Sequence, residues 1–120
     1  MKKKILIIQG SSLKKINIKT DTSFFLGLEA QRRSYQIYYY EPRDLSFING
    51  KVTALCSKVK FVDNPKQPIK VINKTVLNLL QAKLILIRSE PPFNQQYINT
   101  TFILEHISKK VRIRVADNKP

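Results

Sequence analysis

Two short runs, Ile5-Leu6-Ile7-Ile8 and Leu84-Ile85-Leu86-Ile87, are apolar at every position, and they limit what this chain can fold into more than any other feature. A half-buried strand alternates and a surface helix keeps one wet side, whereas a short run with neither pattern must be covered all round. Strands of a parallel sheet with helices on both faces meet that demand, so the chain is expected to be α/β. Gln9 and Arg88 end the two runs, far short of the ~20 apolar residues that span a bilayer. Gly10-Ser11-Ser12 after the first run, and Arg88 to Pro92 after the second, are then expected at the carboxyl edge of the sheet.

The remaining segments fit around those strands. Asp21 is a plausible N-cap for a helix from Thr22 to about Arg33 with Phe24, Phe25 and Leu28 on its apolar side, and Glu29 can pair with Arg32 or Arg33 one turn on. Tyr35 to Tyr40, rich in aromatic residues, reads as the second strand. Leu45 to Ile48 and Lys51 to Val62 flank Asn49-Gly50, a strong hairpin signal because both residues tolerate positive φ. Asp63 to Pro68 is a loop, and Ile69 to Gln81 fits a strand or a helix. Asn94 to Lys110 is long enough for a helix, and Val111 to Val115 alternates like a strand exposed on one face. With 120 residues, 42% apolar and 25% charged, this is one domain, a mainly parallel sheet flanked by helices with an appended hairpin.

Charge and special residues narrow the chemistry. Twenty-two Lys and Arg against eight Asp and Glu give a net charge of +14, which attracts polyanions, and a small basic α/β nucleic-acid-binding module is the alternative functional reading. Against it, the cations lie in short groups along the whole chain, Tyr38 to Tyr40 fall in an expected strand, and no RNP, KH or helix-turn-helix pattern is visible. One cysteine, Cys56, and one histidine, His106, cannot build an internal disulfide or a soft-metal cage, so no metal-ligating or catalytic residue is assigned. Cys56 reads as a partly buried strand thiol and His106 as a solvated histidine. Three glycines do not supply a dinucleotide or Walker pattern after Ile8. Lys2 to Lys4 precede only four apolar residues, too few for a signal peptide, and the chain is expected in the cytosol.

The segment Arg88-Ser89-Glu90-Pro91-Pro92-Phe93 carries the best candidate site. Arg88 presents a planar fork of five donors suited to a carboxylate or phosphate, or it pairs internally with Glu90 or a loop carbonyl.

Those residues, with Asn17 to Phe24, Leu28 to Tyr35, Ile48-Asn49-Gly50 and Asn118-Lys119-Pro120, resemble the amino-terminal domain of the bacterial glutathione synthetase family over essentially the whole chain. The resemblance implies a Rossmann-like pre-ATP-grasp domain. It also implies that an ATP-grasp portion, in cis just after Pro120 or in trans, joins γ-glutamylcysteine to glycine with ATP and Mg2+, which that portion binds. Arg88 matches the Arg of the family's Arg-Lys-Asp-Pro-Pro motif at the dipeptide site, and Asn17 matches a family position in the loop before the first helix, where it can equally serve as a cap or in a turn. Arg88, Glu90 and Asn17 are the substrate-binding residues the resemblance implies. This chain has Ser89-Glu90 where the family has Lys-Asp, and Gln9-Gly10 where it has Asp-Pro. The full enzyme is expected to be a homo-oligomer, and the isolated 120 residues are expected to be inactive, without a specific nucleic-acid or membrane partner.

Overall fold

A computed structural model describes residues 4–10, 22–62, 64, 66–67, 69–89 and 102–117. In chain order they form β1 (Ile5–Gln9), α1 (Thr22–Arg32), β2 (Gln36–Tyr40), β3 (Leu45–Ile48), β4 (Lys51–Phe61), β5 (Ile69–Asn78), β6 (Leu84–Ser89) and β7 (Arg112–Asp117). Short 3-10 turns occupy Pro42–Asp44 and Leu79–Gln81.

The apolar runs behave as their composition requires. β1 is buried at every position and lies between two parallel neighbours, β2 on one side and β6 on the other, with β7 parallel beyond β6. Its first turnless residues are tied down on both flanks, since Gln36 N–H donates to Lys4 O at 2.8 Å and Lys83 N–H to Ile5 O at 2.9 Å. Alternation along these strands splits the interior into two layers. Ile5, Ile7, Tyr38, Tyr40, Ile85 and Ile87 face the layer closed by Leu104 and Ile107, while Leu6, Ile8, Ile37, Tyr39 and Leu86 face the layer under α1.

The expected hairpin is present, with Ile48 opposite Lys51 and positive φ at Asn49 (53°) and Gly50 (75°). β4 is long enough to serve two neighbours along one edge: its residues 51–54 pair with β3 and its residues 57–59 with β2, all antiparallel. β5 runs antiparallel along the other edge from Thr53 to Phe61, which settles the 69–81 segment as a strand followed by a 3-10 turn. The changeover falls at Asn78, whose side chain accepts the Leu80 N–H at 3.0 Å and starts the turn.

α1 packs through Phe24, Gly27, Leu28 and Gln31, the spacing of one helical face. Phe25, assigned to that face from sequence, is instead exposed and meets Phe24 edge-on at 5.8 Å, because one residue further along is a 100° turn away from the sheet. Gln31 replaces a strand neighbour at the end of β4: its amide donates to Phe61 O at 2.9 Å and accepts from Phe61 N–H at 2.6 Å. The Glu29 pairs expected one turn on are present, 3.1 Å to Arg33 and 3.7 Å to Arg32, on the exposed surface where they add little.

The helix ends in a Schellman arrangement: Tyr35 N–H donates to Ala30 O at 2.9 Å and Ser34 N–H to Gln31 O at 3.0 Å. That places Ser34 at φ 69°, a left-handed position where a Cβ is unfavourable. Ser34→Gly is therefore expected to stabilise the domain by about 1 kcal/mol, seen as a rise of a few degrees in thermal midpoint. An unchanged or lowered midpoint would contradict this account of the cap.

The helix expected from Asn94 to Lys110 is shorter at its end than the sequence suggests. Residues 102–105 are helical and 106–110 form turns, with the hydrogen bonds of His106, Ile107 and Ser108 reaching back three residues instead of four. Ser108 contributes to this by donating its hydroxyl to Glu105 O at 3.0 Å. Residues 94–101, like the expected cap Asp21, lie outside the described residues. Among the described residues no helix is long and apolar enough to cross a membrane.

Candidate functional site

Because β1, β2, β6 and β7 are parallel, their carboxyl ends share one edge of the sheet, where ligands of open α/β folds bind. Gln9, Tyr40, Arg88 and Asp117 stand at or next to those ends.

β6 continues two residues past its apolar run, so Arg88 is a strand residue paired with Ala116 of β7 and not the first residue of a loop. Alternation from Leu84 and Leu86 carries Arg88 onto the α1 side of the sheet. It is only 9% exposed, unusual for an arginine, and burial strengthens any hydrogen bond its guanidinium makes to an anion. Glu90 and Asn17, the other residues singled out from sequence, lie outside the described residues, as do Ser11 and Ser12.

The opposite side of the same edge holds a polar pair that sequence reading did not anticipate. Gln9 ends the apolar run in sequence, yet it belongs to β1 and is buried. The Tyr40 hydroxyl donates to Gln9 Oε1 at 2.6 Å, and Gly10 N–H donates to Tyr40 O at 3.1 Å. These bonds clamp the ends of β1 and β2 together where the chain leaves toward residue 11. Burial, and then the nearby Cys56 thiol, push the Tyr40 hydroxyl far above the ordinary tyrosine range, so it stays a donor at all physiological pH. The available signal was register: Gln9 shares the parity of Ile5 and Ile7 on a strand covered on both faces.

The remaining sequence candidates are structural. Cys56 is fully buried, more so than expected, with its thiol donating to Ala54 O at 3.5 Å. Burial first and Asp44 second push that thiol up to about 12, which keeps it protonated and a poor nucleophile. His106 lies beyond the opposite layer from Arg88, exposed but stacked on Phe47 at 4.4 Å between ring centroids. Tyr38, Tyr39 and Tyr40 are all buried in the sheet, so none offers a face for base stacking. Among the described residues no three His, Cys, Asp or Glu side chains converge.

A family profile described as "Prokaryotic glutathione synthetase, N-terminal domain" matches residues 4–119. The chain belongs to this family.

Individual relatives agree. A glutathione synthetase of Mesorhizobium japonicum is 38% identical over 113 residues, covering 94% of this chain and 36% of the relative. That of Buchnera aphidicola subsp. Schizaphis graminum is 38% identical over 109 residues, covering 91% and 33%, and that of Escherichia coli is 39% identical over 105 residues, covering 88% and 33%. The chain thus spans about a third of the length of the relatives it matches. The glutathione synthetase resemblance drawn from scattered motifs is confirmed, and the α/β sheet agrees with the fold that the resemblance implied, with the appended hairpin where Asn49-Gly50 places it.

Proposed function

We propose that this chain is the substrate-side domain of a glutathione synthetase, a ligase that joins γ-glutamylcysteine to glycine, and that Arg88 holds a carboxylate of the γ-glutamyl dipeptide. The observation that carries the reading is a buried arginine at the carboxyl edge of the parallel sheet, in a chain belonging to that family. A guanidinium fork meets a carboxylate through two parallel N–H···O bonds, and a low-dielectric wall strengthens both. Glu90 and Asn17 complete the proposed dipeptide site, Glu90 two residues beyond Arg88 and Asn17 in the segment leaving the clamped end of β1.

In this reading ATP and Mg2+ are held mainly by an ATP-grasp portion, supplied in cis or in trans, and the assembled enzyme is a cytosolic homo-oligomer. ATP activates a carboxylate for attack by an amine; this domain positions the dipeptide for that step. The 120 residues alone are expected to show no ATP-dependent ligation.

The test is a reconstituted enzyme, this chain joined to the carboxyl-terminal remainder of a relative's glutathione synthetase. Arg88→Lys keeps the charge and loses the fork, so the KM for γ-glutamylcysteine is expected to rise about tenfold or more, with a smaller change for ATP. An unchanged dipeptide KM in a folded variant would make Arg88 structural, and ligation by the isolated chain would refute the division of labour.

A further inference from the structure

The sheet's outer edge at β5 is built unlike the rest of the molecule. Among the described residues β5 pairs with β4 alone, which leaves one row of N–H and C=O groups along a ten-residue strand without a strand partner. Residues 70–76 are exposed without interruption. Val71, Ile72 and Val76, together with Leu55 directly across from Val76, are 45–65% exposed. Unpaired edges with exposed apolar side chains attract further strands.

The register slips between Lys58 and Val59, and Ile72 is the residue left out of the pairing. It lines an open groove of about 460 Å³ with Leu28 and Val59 from the apolar interior and the cations Arg32, Lys58 and Lys60. β4 and β5 together carry Lys51, Lys58, Lys60, Lys70 and Lys74 and contain no Asp or Glu.

That charge pattern decides which strand fits. A second copy of this chain would bring together two β5 strands whose charged residues are all lysine, with no carboxylate on either strand to pair with them, and lysine on an edge strand is a common device against self-pairing. A segment bearing carboxylates can instead form cross-strand ion pairs with Lys70 and Lys74 of β5, while its apolar residues cover Val71, Ile72 and Val76. We propose that the free edge of β5 takes up an extended acidic segment of a partner protein as an added strand, with one apolar side chain of that segment seated in the groove at Ile72. This site lies at the opposite end of the sheet from β7, and it stands or falls independently of the ligase reading.

The probe is a capped ten-residue peptide of alternating Glu and Val, titrated into the 15N-labelled 120-residue chain at about 0.15 M salt, where long-range attraction is screened. Amide shift changes are expected within 69–78 and at the groove residues. Two controls separate strand addition from attraction to a net charge of +14. A peptide of identical charge with alternate amides N-methylated loses half its backbone donors and is expected to bind about tenfold more weakly or worse. The Ile72→Glu/Val76→Glu variant alters exposed side chains only and should likewise bind about tenfold more weakly with its fold unchanged by circular dichroism. Equal binding of the N-methylated peptide, shift changes elsewhere on the basic surface, or no binding would overturn the proposal. So would self-association of the chain abolished by Ile72→Glu, which would make a second copy the occupant.

Discussion

Replacing Phe61 with alanine is expected to remove about 3–5 kcal/mol of stability, a large part of the 5–15 kcal/mol that holds a domain of this size together. Phe61 is the last residue of β4 and only 2% exposed. Its ring meets Phe24 edge-on at 5.5 Å and fills the space left by Gly27, where a Cβ would overlap the ring. Gln31 holds the backbone of the same residue through two hydrogen bonds. Alanine would leave a cavity bounded by a helix and a sheet strand that are pinned and cannot collapse into it. The thermal midpoint should fall by about 10–20 °C. Gly27→Ala is the reciprocal experiment: in an open helix it would stabilise by ~1 kcal/mol, but against this ring the sign should reverse. A Phe61→Ala midpoint within about 3 °C of the parent would show that α1 does not depend on this contact.

Stability is also expected to fall steeply on the alkaline side. The Cys56 thiol is raised from 9.0 to about 12 by burial, with Asp44 adding to the effect. Between those values the unfolded chain has released the proton and the folded chain retains it, so each rise in pH favours unfolding. The contribution is fully present below about pH 9 and disappears by about pH 12, at a slope of roughly 1 kcal/mol per pH unit. Tyr40, raised further by the same kind of burial, adds a loss of the same sign above the pH where an exposed tyrosine ionises. The measurement is a difference that isolates this thiol: urea unfolding at several pH values for the parent and for Cys56→Ala. The variant should show the shallower decline. Below pH 9 the native thiol should resist alkylation and react only on unfolding. Parallel pH profiles for the two proteins, or rapid native labelling, would contradict this account.

Much of the fold was legible because the signals are local. Continuous apolar runs can be satisfied only by burial on both faces, and Ile5 to Ile8 and Leu84 to Ile87 became the inner strands β1 and β6. Asn49-Gly50 carries its turn in its own backbone preferences. Ile69 to Gln81 was not legible, since its periodicity fits either element and only pairing with β4 makes it a strand. Phe25 was misplaced because the rotation of a helix about its axis is chosen by what it packs on, here Phe61 and the sheet beneath it.

The candidate site divides in the same way. That Arg88 stands at the end of a buried strand follows from the order of residues alone, and so does the family resemblance, since the matched motifs are linear. That Arg88 is buried on the α1 side, and that Gln9 and Tyr40 clamp the ends of β1 and β2 across 31 positions of sequence, was decided by parallel register. Register is an agreement between distant segments about which face each side chain takes, and a slip of one residue would reverse every face at once. Likewise the lysines of β4 and β5 are visible in the sequence as scattered charge. Only the placement of β5 at the rim, with no described strand beyond it, turns them into one basic edge beside exposed valine and isoleucine.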